Sequence, residues 1–215
     1  PDERRHSVTL TRAYYIGVFE VTQRQWELVM GENPSWFKSE GAVRPVEQVS
    51  YCMVRGTASG LNWPSDGAVD GDSFMGRLRA RTGLTGFDLP TEAQWECACR
   101  AATEGALNSG KDLTGCDRCP NVEDVAVYRR NRDDADSAAS PGRGGTAAAG
   151  CRQPNRWGLY DMHGNVLEWC RDRFGPYEGD AVSDPVGAAS GSTHVLRGGP
   201  WWYYDPQCAA NCRSA

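Results

Sequence analysis

Apolar positions recur at helical spacing in two well-marked stretches of this chain. In VTQRQWELVMGENPS (residues 21–35), Trp26, Val29 and Met30 fall on one face. Thr22 and Gln25 have the spacing of a capping box, and Gly31 is placed to end the helix. In LPTEAQWECACRAA (residues 89–102), Thr91 and Gln94 repeat the device, with Trp95, Cys99 and Ala102 on a common face. Both segments contain T-x-x-Q-W-E, which capping plus an anchoring Trp explains without an internal repeat. A third helix is predicted after Ser50, through Tyr51 and Val54 to Leu61.

Alternation of period two is weaker. It predicts short strands at Tyr14–Phe19, Gly86–Leu89, Val166–Trp169 and His194–Arg197. The 25 glycines and 12 prolines mean that much of the chain is turn and loop. The loosest part runs from Thr103 to Gly150, too long for a structureless run unless something staples it, and Cys116, Cys119 and Cys151 are the candidates. The expected architecture is an irregular, loop-rich α+β fold, one domain over residues 1–215.

Composition narrows the function classes. The formal charge is −5 and the basic residues are scattered, so there is no concentrated positive face for nucleic acid. No apolar run approaches the ~18 residues of a membrane helix. Nine cysteines, an odd number, point to an oxidising, extracytoplasmic setting: periplasm, cell surface or outside the cell. The chain opens at Pro1 without an initiator Met and reads as excised from something longer.

The stretch GLYDMHGNVLEWC (residues 158–170) carries the most chemistry. Gly164-Asn165 marks a turn, with Asp161 before it and Glu168 on the strand that follows. Alternation puts Glu168 opposite Leu167 and Trp169, so the two carboxylates can converge with backbone carbonyls between them. Such a set suits calcium, which takes roughly six to eight hard oxygen ligands. A salt-bridged or hydrogen-bonded turn fits the spacing too. Cys116-Asp117-Arg118-Cys119 has no βαβ context for redox work, and Cys97/Cys99 is too tight for the second half of a zinc site. A structural disulfide fits better. His6, His163 and His194 have no nucleophile setting, and no cofactor fingerprint appears. Near the C-terminal end, Trp201, Trp202, Tyr203 and Tyr204 follow Gly198-Gly199-Pro200; four rings in a strand cannot all face inward, so some are exposed or line a cleft. Packing under a loop is the competing reading.

Five motifs in order, YYIGVFEVTQRQWELVMGENPS, RPVEQVS, FDLPTEAQWECACRA, WGLYDMHGNVLEWC and VLRGGPW, resemble the formylglycine-generating enzyme or sulfatase-modifying factor family, from about Val8 to the end. The resemblance implies a variant of the C-type lectin fold. It implies a structural calcium held by the Asp161 and Glu168 side chains and the Gly164 and Val166 carbonyls. A second family calcium site would fall within 121–140. Active members hold copper(I) between two thiolates five positions apart after an R-G-G-S-[YW] stretch. Here the first place falls on Tyr203 and the second on Cys208, while Pro200 stands where the family has Ser. The step from Cys208 to Cys212 is one residue short, and the closing G-F-R strand is absent from these residues. A tyrosine cannot supply a thiolate. Other relatives use this scaffold to display diversified residues after R-G-G-S-W. The expectation is therefore a calcium-stabilised, non-oxidase binding module with Trp202, Tyr203, Tyr204, Asp205 and Gln207 on its contact surface, its partner a protein or a glycan. A copper-dependent oxidase using Cys208 and a purely architectural cell-surface domain are the alternatives.

Overall fold

The computed structural model describes residues 5–39, 41–56, 67–114, 119–131, 145–177, 181–202, 209–210 and 212–214. Both capping boxes form. Thr22 and Gln25 exchange hydrogen bonds (Gln25 N to Thr22 Oγ1 at 3.3 Å, Thr22 N to Gln25 Oε1 at 2.9 Å) and open α1, Gln23–Met30, which Gly31 closes in the left-handed region. Thr91 and Gln94 do the same for α4, Glu92–Arg100. Trp26 and Val29 are buried, and Trp26 stacks on Phe74 of α3, Phe74–Thr82, with ring centroids 4.8 Å apart.

Four sequence expectations need correction here. The third helix, α2, is Tyr51–Arg55 and ends at Gly56, where a β-carbon would lie 2.2 Å from the Asp70 carboxyl carbon. Residues 57–66 lie outside the described part. Ala102 does not share the buried face of α4: the helix stops at Arg100 and Ala101 and Ala102 turn into positive φ, so Ala98 packs there in its place. Tyr14–Phe19 and Gly86–Leu89 form no strand. The first is held by single contacts, Tyr14 Oη donating to Gln94 O and Val18 O accepting from Tyr160 N; Asp88 in the second is enclosed by Arg55 and Arg79.

The strands are short. The elements β1 (Ser7–Thr9) and β5 (Ala181–Ser183) pair in parallel, as do β2 (Ala126–Val127) and β3 (His163–Gly164). The longest pairing is antiparallel, between β4, Glu168–Arg173, and β6, His194–Arg197, in register Glu168↔Arg197 and Trp169↔Leu196. Thus β6 matches its predicted bounds, and β4 starts two residues late because Val166 and Leu167 are spent on the turn.

Within the Thr103–Gly150 stretch, residues 107–113 and 119–128 are anchored by burial. Leu107, Cys119, Val122, Val125, Ala126 and Tyr128 form an apolar cluster around α5, Pro120–Glu123. Cys151 is exposed and in no disulfide, so it is not the expected staple. Cys116 lies outside the described residues. Cys52, Cys97, Cys99 and Cys170 form no disulfide either. Among the described residues, no helix is long and apolar enough to cross a membrane.

Candidate functional site

The Asp161–Glu168 turn is built from backbone that few residues tolerate. Asp161, Gly164 and Asn165 all have positive φ, and a β-carbon at Gly164 would sit 2.2 Å from Val127 O. Glycine is therefore required by both conformation and space. Asn165, fully buried, is the hub. Its N–H donates to Val127 O, its carbonyl accepts from Trp201 N, its Oδ1 accepts from Ala147 N, and its Nδ2 donates to Glu20 Oε2 at 2.7 Å. Gly164 N donates to Gly198 O. The turn, the start of α1, the Ala147 loop and the Gly198–Trp201 segment are thus tied at one residue pair.

The carboxylates lie inside this frame. Asp161 is buried and accepts from Gly150 N at 2.6 Å; burial pushes its carboxyl above the usual range. Glu168 points away from Leu167 and Trp169, as alternation predicts, and accepts from Trp95 Nε1 at 3.1 Å. Its enclosure pushes the carboxyl up to about 7, against the pull of that indole N–H. A β-carbon at Gly198 would lie 3.4 Å from Val166 O and 3.6 Å from Glu168 Oε1, so a carbonyl and a carboxylate oxygen face one small space.

Sequence reasoning missed Glu20. It is buried, accepts from Asn165 Nδ2 and from Val166 N, and is pushed well above the carboxylate range, first by burial and then by Asp161 and Glu168. It lies 145 residues from Asn165 in sequence, and no spacing rule connects them. The donor set is hard oxygen throughout, and three acids buried near one another are what a cation would relieve. Among the described residues no three His, Cys, Asp or Glu side chains are arranged to hold a metal ion. The calcium ligand set that the family resemblance implies is the Asp161 and Glu168 side chains with the Gly164 and Val166 carbonyls.

His163 is buried beside Cys99, Nε2 to Sγ 3.7 Å. The same Nε2 accepts from Asn108 N at 2.9 Å, which leaves the ring proton on Nδ1. Burial drives the Cys99 thiol far above its ordinary value, so this pair packs and does not attack.

On the other side of β4 lies a groove of about 630 Å³ whose walls include Trp36, Phe37, Leu167, Trp169, Trp201 and Trp202. Trp36 is 76% exposed and Trp202 44%. Trp201–Trp202 is a turn and not a strand, so the argument from alternation is replaced by direct exposure. Tyr203, Tyr204, Asp205, Gln207 and Cys208 lie outside the described residues. Cys212 is partly buried, and its carbonyl accepts from Arg197 Nη1 at 2.8 Å.

Residues 2–215 match the model of the sulfatase-modifying factor enzyme 1-like domain. The chain belongs to this sulfatase-modifying factor family. Its fold is accordingly α+β, of the formylglycine-generating-enzyme, C-type-lectin-like kind. Among the relatives of this family domain is the chaperone protein LppX of Paenibacillus barcinonensis, 34% identical over 76% of the chain and 63% of that protein. The formylglycine-generating enzyme of Streptomyces coelicolor is 38% identical over 57% of the chain and 38% of the enzyme. The chain spans less than two thirds of either relative. Treponema denticola variable protein 1 superposes with a TM-score of 0.72 at 29% identity, covering 97% of this chain and 80% of that one. PvdO from Pseudomonas aeruginosa, at 19% identity and TM-score 0.61, shares the fold.

Proposed function

We propose that this sulfatase-modifying factor domain is a calcium-stabilised binding module and not an oxidase. The observation that carries the reading is the groove beneath the C-terminal aromatic segment, with Trp36 and Trp202 open to solvent. Large rings left exposed in a concave site are what a ligand surface uses, and a purely architectural domain would have packed them. Trp202, Tyr203, Tyr204, Asp205 and Gln207 continue that surface in sequence. Its partner is a protein or a glycan, and its setting is extracytoplasmic by the family resemblance; Cys52, Cys97, Cys99, Cys151 and Cys170 form no disulfide, so the cysteine count does not carry that setting.

The enzyme reading has one specific observation in its favour, the identity to formylglycine-generating enzymes. Against it stands Tyr203 at the first thiolate place, which leaves Cys208 and Cys212 as the nearby thiols. Copper(I) titration of the reduced protein, with a Cys208→Ala variant and a cysteine-containing sulfatase peptide under oxygen, separates the two. We expect no copper affinity that depends on Cys208 and no aldehyde in the peptide. Tight binding lost in the variant, with peptide oxidation, would establish the oxidase instead.

A further inference from the structure

Successive backbone N–H groups of the Asp161–Glu168 turn are all bound, but to acceptors of different kinds. Gly164 N donates to Gly198 O at 2.8 Å and Asn165 N to Val127 O at 2.7 Å, backbone carbonyls that the fold supplies whatever the side chains are. Val166 N donates instead to a side chain, Glu20 Oε1, at 3.3 Å. The second oxygen of Glu20 accepts from Asn165 Nδ2 at 2.7 Å. Asn165 O in turn accepts from Trp201 N at 2.9 Å. The Asn165–Val166 peptide is therefore held at its N–H end by Glu20 and at its carbonyl end by Trp201. A trans peptide is planar, so holding both ends fixes its rotation and the directions of the residues on either side. Those flanking residues carry the Gly164 and Val166 carbonyls.

An acid is a costly choice for this position. Glu20 is buried and lies within electrostatic reach of Asp161 and Glu168. Like charges taken out of water together oppose folding. A glutamine of the same shape would avoid that cost, but it offers one oxygen, and two donors face the position. A carboxylate presents an acceptor to Val166 N and to Asn165 Nδ2 at once, which a side-chain amide cannot do. A cation held by Asp161 and Glu168 would offset the repulsion and leave both hydrogen bonds in place. Each oxygen of Glu20 already accepts from a donor, so its part is to support the ion's ligands and not to be one.

We infer that Glu20 is a positioning residue for calcium: without ligating the ion, it holds the Asn165–Val166 peptide and the Asn165 side chain so that the Gly164 and Val166 carbonyls converge with Asp161 and Glu168. The inference rests on the calcium-stabilised reading and adds to it a residue that lies far from the turn in sequence.

The test uses the purified protein, freed of metal and kept at constant pH and ionic strength. Calcium affinity is read by competition with a chromophoric chelator. Terbium, a luminescent stand-in for calcium, is read through excitation of Trp95, whose indole N–H donates to Glu168 Oε2 at 3.1 Å. Terbium lifetimes in light and heavy water count the waters left on the ion. Glu20→Gln is expected to weaken calcium roughly 10–100-fold, as loss of a partner that orients metal ligands does, with the water count unchanged. Adding Asn165→Asp to Glu20→Gln exchanges donor and acceptor. The new amide at position 20 then donates to the new carboxylate at position 165 and still accepts from Val166 N, so most of the lost affinity should return at unchanged total charge. Glu20→Gln protein that binds calcium as tightly as the native protein overturns the inference and leaves the calcium reading standing. An added water on terbium in that variant overturns it too, because Glu20 would then be a ligand. So does a double variant no tighter than Glu20→Gln alone. Native protein that binds neither ion removes the inference and the calcium reading together. A further measurement needs no variant and decides the matter even where Glu20→Gln does not fold. In calcium-free native protein, amide hydrogen exchange at Val166 is expected to be as slow as at Gly164 and Asn165, and much faster exchange at Val166 would show that Glu20 does not hold it.

Discussion

Single side chains set several of the energetics in this domain, and Asp172 is the clearest. It is 2% exposed on β4, accepts from Glu92 N at 2.9 Å, and its carboxyl is pushed up to about 7, chiefly by burial with a contribution from the neighbouring Glu92. Arg171 opposes the shift weakly. The unfolded chain ionises this acid near 3.8, so between about 4 and 7 the folded state holds a proton that the unfolded state releases. Stability from this group is thus complete at low pH and falls as pH rises, by at most ~1.4 kcal/mol per pH unit. Asp172→Asn mimics the protonated acid and keeps an acceptor for Glu92 N. Denaturant melts of the two proteins at pH 5 and pH 7.5 are expected to converge at the lower pH and to favour the variant at the higher; parallel curves would show that Asp172 does not titrate there. Gly164 is a second such residue. Gly164→Ala would put a methyl 2.2 Å from Val127 O at φ +77°, and a loss of at least ~2 kcal/mol is expected from urea melts, because the turn and β2 must separate.

At the scale of elements, what the chain announces is what is local. Both capped helices are legible because Thr22/Gln25 and Thr91/Gln94 act within one turn, and their geometry is decided by residues three apart. Removing one cap isolates that contribution: Thr91→Ala is expected to cost about 1 kcal/mol, read as a lower melting temperature with unchanged groove fluorescence. A larger loss would mean that Thr91 holds more than the helix start. β6 was legible, whereas Tyr14–Phe19 has strand composition but no partner strand, and is held by side-chain and single backbone contacts that no periodicity encodes. The helix α3 escaped notice although Ser73 caps it, because FMGRLRART lacks a clear apolar stripe and carries a glycine. The candidate site divides the same way. Asp161, Gly164, Val166 and Glu168 stand within eight residues and announce themselves. Glu20 and the Ala147 loop reach Asn165 only through the fold, and the groove joins residues from 36 to 202, so neither was visible as spacing.

The whole molecule is organised around that convergence. Glu20, Ala147, Val127 and Trp201 come from four distant parts of the chain, and each bonds to Asn165 within the turn that carries the candidate calcium ligands. Trp201 in turn forms a wall of the aromatic groove. A cation bound by Asp161, Glu168 and the two carbonyls would offset the mutual repulsion of acids that now face one another across the turn. It would also fix the Gly164–Gly198 and Asn165–Trp201 hydrogen bonds, the second of which holds Trp201 at the groove wall. Calcium should therefore raise global stability and order the groove together. By mass action, calcium at a hundred times its dissociation constant adds about 2.7 kcal/mol, and for a chain of this size each kcal/mol moves the melting temperature by ~2–4 °C. Chelation is expected to lower the melting point by roughly 5–10 °C on the same grounds and to shift the indole emission of the groove before global unfolding begins. Glu168→Gln should abolish both responses to added calcium, since it removes a hard anionic ligand while retaining an acceptor for Trp95. Thr91→Ala, by contrast, should lower the melting point and leave both responses intact. A melting point that ignores chelator and calcium alike would mean that protons, and not a metal, neutralise these buried acids. The Asn165–Trp201 hydrogen bond would then hold that wall of the groove without a metal.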